Sequence, residues 1–372
     1  VTEPKFYPLS MPSLTGHEVE YVTDAVTSGW VSSLGAYVTR FEQDFASFCG
    51  VKHAISVSNG TVALHLALHA MGIGHGDEVI MPDLSFIATC NATMLTGAKP
   101  VFCDIDENTL CLDPTKLEAL ISPKTRAIIP VHLYGHPADM TAINSIAKRH
   151  GLWVLEDAAE AHGSAIGGAR VGSLGDAGTF SFYANKNLST GEGGMVTTNN
   201  DDLAHEMRTL RDHAMSSDKR YWHEKLGFNY RMTNLQAALG CAQLERADEL
   251  LSSRRMLFDL YQEGLGNLQG VRLNRTANWA HNTYWVICVE IDGMTEEKRE
   301  ALMADLKVRG VDTRPYFYPM SRMPYLEAAD TPVAHAVAQK GLNLPTYVDL
   351  TQDDVAEICK RFTDALTAGG YA

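Results

Sequence analysis

From His53 onward, apolar residues gather in short runs of three to five, separated by stretches of about ten residues with helical spacing. His53–Val57, Glu78–Met81, Pro100–Cys103, Ala127–Val131 and Trp153–Leu155 read as strands, near-continuous in hydrophobicity because both of their faces are covered. Val62–Met71, Ser85–Leu95, Pro114–Leu120 and Met140–His150 read as the helices between them. Such alternation predicts a mostly parallel sheet with helices on both sides. Thr179–Tyr183 and Met195–Thr198 are two further strands, joined by a polar loop. Ahead of the sheet come an extended arm over 1–16, a helix over Gly16–Ser28, a loop at Trp30–Gly35 and a helix over Tyr37–Cys49.

After the last of these strands the pattern changes. Leu203–His213 is helical, Ser216–Arg231 is polar and aromatic, and Thr233–Leu265 is a long helical stretch suited to bridging two domains. Past Gly270, a strand over Tyr284–Ile291, a helix over Thr295–Val308, an extended Thr313–Tyr316 and a helix over Asp353–Ala368 form a smaller α+β unit. The expected division is a large domain over 1–240 and a small one over 241–372.

The 372-residue length suits two domains, and 45% hydrophobic with 20% charged residues is an ordinary globular balance. A formal net charge of −14 argues against a general nucleic-acid binder, while leaving room for a local cationic pocket. Seven cysteines show no C-x-x-C and no metal-ligand spacing, and read as buried thiols in a reducing compartment. The N-terminal stretch lacks a basic-then-apolar signal pattern, and no run of about 18 apolar residues appears. The expectation is a soluble cytoplasmic protein that binds no metal and no membrane.

Candidate chemistry enters at the strand ends, where ligands of such sheets sit. Lys186 stands in the loop between the two strands of the Thr179–Thr198 hairpin, where partial burial would lower its pKa and make it a nucleophile; it would be an ordinary solvated lysine if the loop were exposed. Ser58-Asn59-Gly60-Thr61 joins a strand to a helix N-terminus, an arrangement that suits a phosphate and equally a simple N-cap. Asp157 follows an apolar run, and a carboxylate there needs a partner or caps the next helix. His132, just beyond Val131, is expected at the same edge, and Trp30 is a ligand edge or a core anchor. With Phe86 near the start of a helix, these groups fit one scheme: pyridoxal phosphate (PLP) bonded to Lys186, with Asp157 keeping the pyridine nitrogen protonated so that the ring acts as an electron sink.

Several motifs carry a resemblance. They are Ser58–Thr61, EVIMPDLSFIA from Glu78, VHLYG from Val131, EDAAEAHG from Glu156, Gly175-Asp176, Ser181–Gly194 and Asn229-Tyr230-Arg231-Met232. Over nearly its whole length the chain resembles the PLP-dependent nucleotide-sugar aminotransferases of the DegT/DnrJ/StrS type. The resemblance implies the aspartate aminotransferase-like (type I) fold, with a mostly parallel seven-stranded sheet in the large domain. It also implies a homodimer with shared active sites, and L-glutamate as amino donor. Lys186 then resembles the Schiff-base lysine and proton carrier, and Asp157 the pyridinium partner. Gly60, Thr61 and Ser181 resemble phosphate binders, Phe86 takes the ring-stacking position, and Asn229 reaches the partner subunit's cofactor phosphate. Arg231 holds the donor carboxylate. Glu160 stands beside the phenolic oxygen, where the family often has glutamine.

Relatives that dehydrate carry histidine in place of the lysine, so Lys186 favours transfer. Further pieces, Gly29–Ser33, Lys219–His223, Gly227–Asn234, Arg314–Pro319 and Gly341–Pro345, resemble members that aminate C4 of GDP-4-keto-6-deoxy-mannose for a surface polysaccharide. Trp30, Arg220, Arg314, Tyr316 and Tyr318 are the expected substrate contacts, with Lys219 as a further cation. A UDP- or dTDP-linked ketosugar is the alternative acceptor. A nicotinamide-dependent oxidoreductase is disfavoured because Gly72–Gly76 follows a helix rather than a strand, and a non-catalytic PLP-fold sensor because Lys186 and Asp157 are both present.

Overall fold

The computed structural model describes residues 5–370, so the first four residues of the expected arm lie outside them. The chain begins with α1 (Glu18–Thr27) and α2 (Ala36–Cys49). Strands β1 (His53–Val57), β2 (Glu78–Pro82), β3 (Lys99–Cys103), β4 (Thr125–Ile128) and β5 (Trp153–Asp157) then alternate with α3 (Gly60–Ala70), α4 (Ala88–Leu95), α5 (Pro114–Leu117) and α6 (Met140–His150). A short hairpin, β6 (Ala165–Ile166) and β7 (Ala169–Arg170), precedes β8 (Ala177–Ser181), β9 (Gly194–Thr198) and α7 (Asp201–Arg211).

Seven strands form one sheet in the order β1-β9-β8-β5-β4-β2-β3. Only β9 runs against its neighbours. The apolar runs are continuous because both faces are covered. Val79 and Met81 pack on the side of α3, while Ile80 packs on the side of α6, each fully buried. Beyond β8 and β9, Phe41 and Phe45 of α2 meet Phe180 and Phe182, with Phe45 and Phe180 edge-to-face at 4.9 Å. Truncating one such ring to alanine costs about 3–5 kcal/mol, so this layer fixes how the loop after β8 leaves the sheet.

The stretch Thr233–Leu265 is two helices, α8 (Asn234–Glu245) and α9 (Ala247–Leu265), not one. They break at Arg246, where φ is −106° and ψ 14°. No glycine or proline marks the break; Arg246 is drawn out of helical register by Glu18 at 3.2 Å and Glu249 at 2.8 Å. A capping box, Thr233 with Gln236, opens α8. The division at 240/241 falls inside α8, which packs on α1 and α2, whereas α9 packs on the last helix.

The second sheet is antiparallel. It orders β10 (Val271–Leu273), β12 (Ile287–Ile291), β14 (Gly341–Leu344) and β13 (Arg314–Pro315), while β11 (Ala280–His281) pairs instead with β6. Helices α10 (Glu296–Val308), α11 (Pro332–Lys340) and α12 (Gln352–Ala368) complete it. The strand expected from Tyr284 starts only at Ile287, because Tyr284 sits in the left-handed region at φ 49°. The arm lies along this unit, with the Thr346 N–H donating to the Leu9 carbonyl at 2.7 Å.

Candidate active site

The loop bearing Lys186 is held at its base by the ladder that ends β8 and begins β9. Ser181 pairs with Gly194, the Phe182 N–H donates to Gly193 O at 2.8 Å, and the Lys186 N–H closes a turn onto Tyr183 O at 2.9 Å. The lysine side chain is 11% exposed. Its Nζ lies 3.6 Å from Glu160 Oε1 and 3.7 Å from the ring centroid of Trp285. Burial lowers its pKa, and the carboxyls of Glu160 and Asp157 oppose that shift. Glu160, buried and with its Oε2 accepting the Tyr134 N–H at 3.0 Å, is pushed up to about 7 by burial, Lys186 pulling the other way.

Asp157 is the last residue of β5, and no helix follows it, so it caps nothing. Its Oδ2 accepts from Thr89 Oγ1 at 2.6 Å and its Oδ1 from the Ala159 N–H at 3.2 Å. Burial raises its pKa, and among the described residues no cationic nitrogen lies within ion-pair distance of it. Its neighbour Glu156 faces the other side of the sheet. There it accepts from the N–H groups of Gly172, Leu174 and Gly175 at 2.7–2.8 Å and contacts His132 Nε2 at 3.0 Å. His132 Nδ1 accepts the Ala138 N–H, so Nε2 carries the proton toward Glu156. His132 therefore belongs to the frame behind the sheet and does not converge on the site with Lys186. A strand sends consecutive side chains to opposite faces, and the position of His132 beyond Val131 did not reveal which face it takes.

At the N-terminus of α3, Asn59 caps Val62 N at 3.0 Å, so the turn is an N-cap and still leaves its first amides and helix dipole facing the cavity. The first turn carries no acidic side chain. A Cβ on Gly60 would stand 2.8 Å from Ser181 Cβ, and one on Gly194 would stand 2.3 Å from Asn59 O. Side chains are thus excluded where the end of β8 meets the turn. Gly60, Thr61 and Ser181 share with Phe86, Asp157, Glu160 and Lys186 one cavity of about 580 Å³, within the size range of small-molecule sites. An amide-lined cup, a buried carboxylate with unused acceptor capacity and a partly desolvated amine fit a ligand with a phosphate, a protonated ring nitrogen and a carbonyl carbon. That donor set matches PLP.

A second cavity of about 810 Å³ adjoins the first and shares with it Phe86, Tyr183, Asn185, Trp285 and Phe317. Arg314, Tyr316 and Tyr318 line it. Arg314 is paired with Asp312 at 2.7 Å, and Tyr318 Oη accepts from Arg299 at 3.2 Å. Tyr316 is only 1% exposed and supports Tyr134 from behind, ring centroids 5.1 Å apart. The other expected contacts lie outside both cavities. Trp30 is 58% exposed, Arg220 stacks over Tyr221, Lys219 over Trp222, Asn229 is exposed, and Arg231 pairs with Asp212 at 2.8 Å. Thr89, Tyr134 and Trp285 were not anticipated. A polar residue three positions after Phe86 was the only trace of Thr89, and nothing marked Trp285 within an apolar stretch.

The sequence matches the model of the DegT/DnrJ/EryC1/StrS aminotransferase family over residues 12–363. It is 48% identical over 355 residues to the GDP-perosamine synthase of Caulobacter vibrioides, covering 94% of this chain and 95% of that one. It is 42% identical over 356 residues to the GDP-perosamine synthase of Vibrio cholerae, covering 95% and 97%. Among solved structures, a putative sugar aminotransferase from Streptococcus pneumoniae in its PLP form superposes with a TM-score of 0.93 at 26% identity, covering 98% of this chain and 99% of that one.

Proposed function

The chain belongs to the DegT/DnrJ/EryC1/StrS aminotransferase family, and from that premise we propose that it moves the amino group of L-glutamate to the 4-keto carbon of GDP-4-keto-6-deoxy-D-mannose, giving GDP-perosamine for a surface polysaccharide. The observation that carries the choice of acceptor is the 48% identity, along 94% of the chain, to a relative bearing that name. The cofactor is pyridoxal phosphate, which when bound supplies an electron sink for the carbanion formed at the amine-bearing carbon.

Asp157 is the partner for the ring nitrogen, because a buried carboxylate with few donors gains most from a cation. The amides of Gly60 and Thr61 with the hydroxyls of Thr61 and Ser181 hold the phosphate. Phe86 covers one ring face, and Glu160 stands at the phenolic oxygen. Lys186 would bond the carbonyl carbon and, once released, its Nζ would move the proton that leaves the donor's α-carbon onto that carbonyl-derived carbon, and in the second half would move a proton from it to C4 of the sugar. Phe86, Trp285 and Phe317 wall this space and keep bulk water from the amine.

The nucleotide-sugar is assigned to the second cavity, where Arg314 and Tyr318 supply a cation and an aromatic face and Tyr316 is the supporting wall. Trp30, Arg220, Asn229 and Arg231 act on a partner subunit's site in a homodimer. Their position outside the cavities of their own chain supports that reading. Seven free thiols, all buried, suit the reducing cytoplasm.

The test is incubation with PLP, glutamate and a panel of nucleotide-linked 4-keto and 3-keto sugars, with products read by mass and NMR. Amination of the GDP sugar at C4 is expected. A preference of more than about tenfold in kcat/KM for a UDP or dTDP sugar would refute the acceptor, a tenfold preference being about 1.4 kcal/mol in transition-state binding. Sedimentation at low concentration checks the dimer; an active monomer removes the shared site.

A further inference from the structure

The free amine of Lys186 has a built resting place. Its Nζ stands 3.7 Å from the centroid of the Trp285 ring and 3.6 Å from Glu160 Oε1, a distance at which two charges attract without a formed hydrogen bond. The surroundings fix both partners. Glu160 Oε2 is occupied by the Tyr134 N–H at 3.0 Å, which leaves Oε1 aimed at the lysine. Tyr134 delivers that amide from the left-handed region, at φ 54°, a conformation a tyrosine keeps only when its surroundings over-determine it. Its ring stacks on Trp285 at 6.3 Å and 21°. Trp285 is in turn tied to the lysine's own loop, its indole N–H donating to Asn185 O at 2.8 Å, while the buried Arg254 donates to its carbonyl at 3.1 Å. One strained residue and three hydrogen bonds thus hold a carboxyl and an aromatic face around one amine.

We propose that Trp285 and Glu160 form a holding station for Lys186 whenever its bond to the cofactor is open, with Trp285 positioning the ammonium and Glu160 exchanging a proton with it. The proton passes from Nζ to Oε1, turning an ammonium and a carboxylate into an amine and a carboxylic acid. No third reactant is needed and the net charge is unchanged. The amine so produced is the form that attacks carbon or accepts a proton. Burial favours the neutral pair over the charged pair, while the indole face and Coulomb attraction favour the charged one. The opposition keeps both forms accessible near neutrality. The other titratable groups near the pair are Asp157 at the end of β5, His162 beside Phe180 and Phe182, the Tyr134 phenol, and the buried thiols of Cys111 and Cys288. The inference rests on the reading of Lys186 as the cofactor-bonding lysine.

The experiment measures, against pH, how fast Lys186 of the cofactor-free full chain is trapped by PLP and borohydride, read by mass on the Lys186 peptide. The expected half-maximal pH falls by about one unit in Trp285→Leu, which loses a desolvated cation–π contact, and by at least as much in Glu160→Gln. Trp285→Phe should restore most of the Trp285→Leu shift. In the loaded enzyme, Glu160→Gln should lower kcat more than it changes KM and remove one limb of the kcat–pH profile. Wild-type trapping profiles in both Glu160→Gln and Trp285→Leu would overturn the proposal. So would a Glu160→Gln enzyme altered only in the absorbance of bound cofactor, since Glu160 would then serve the phenolic oxygen alone. Should Trp285→Leu fail to fold, Glu160→Gln and Trp285→Phe decide, the latter by a smaller downward shift. Absence of trapping at Lys186 in the wild-type protein would instead defeat the underlying assignment.

Discussion

Thr89→Val removes one hydroxyl from the floor of the cofactor cavity and leaves its volume nearly unchanged. Thr89 is 1% exposed, and its Oγ1 donates to Asp157 Oδ2 at 2.6 Å. Among the described residues the only other donor to that carboxyl is the Ala159 N–H, at the longer distance of 3.2 Å. A hydrogen bond to a charged group contributes about 1.5–3 kcal/mol, and losing this one pushes the carboxyl further up from a pKa that burial has already raised. The cost falls on the ionised form that a protonated ring nitrogen requires. Affinity for PLP should therefore fall, by up to about 150-fold where the lost bond counts in full, and the loss should shrink as pH rises. Thr89→Ser should restore it. The assay is titration of cofactor-free protein with PLP, followed by quenching of tryptophan emission at several pH values, with turnover measured at saturating PLP. Affinity within twofold of wild type in Thr89→Val, or a serine variant as weak as the valine, would refute the role given to this bond.

Three further outcomes are expected. Lys186→Ala should yield no 2-oxoglutarate yet still bind PLP non-covalently, because neither the turn at Gly60 nor Asp157 depends on the lysine; equilibrium dialysis and a coupled assay check both halves. Gly60→Ala should weaken PLP binding with little loss of Tm. Its Cβ would stand 2.8 Å from Ser181 Cβ, so β8 must shift at the cup. His162, buried between Phe180 and Phe182, is pushed down to about 3 by burial, and His136 to about 4, against about 6.5 in an unfolded chain. Below pH 6.5 the unfolded state binds more protons, so stability is full above that value and is lost as pH falls toward 3–4. His162→Leu should flatten that acid limb in urea midpoints measured from pH 4 to 7; an unchanged slope would show that His162 does not carry it.

Much of the large sheet was legible because its strands are apolar runs bounded by turn residues, and Met140–His150 is helical over the bounds that its periodicity gave. The loop of Lys186 was legible for the same reason, since two strands frame it. The break at Arg246 was not, because the residues that bend the chain there, Glu18 and Glu249, include one more than 200 positions away. Trp285 was illegible on the same grounds. Its hydrogen bond to Asn185 joins segments 100 residues apart, and its burial gives it the appearance of any core aromatic. For Arg220, Asn229 and Arg231 the sequence offered a motif, and neither of the two adjoining cavities of the single chain is lined by them.

The stretch Glu156–Glu160 holds three carboxyls within five residues, and the donors around each decide what it can do. Glu156 accepts three backbone N–H groups and a histidine N–H, which fills its capacity and makes it part of the frame that fixes the loop over Gly172–Gly175. Asp157, one residue on and therefore across the sheet, has a hydroxyl and one long amide bond, and is open to a cation. Glu160, beyond the strand, accepts one amide N–H and faces the Lys186 amine at 3.6 Å, and burial pushes it up to about 7. Raising the donor count at Glu160 to that of Glu156 would fix it as an anion and hold Lys186 as an ammonium, which can neither attack carbon nor accept a proton. On this reading the sparse hydrogen bonding of Asp157 leaves it open to a protonated ring nitrogen and that of Glu160 leaves its carboxyl able to exchange a proton with Lys186, while the dense bonding of Glu156 holds the strand end beside them.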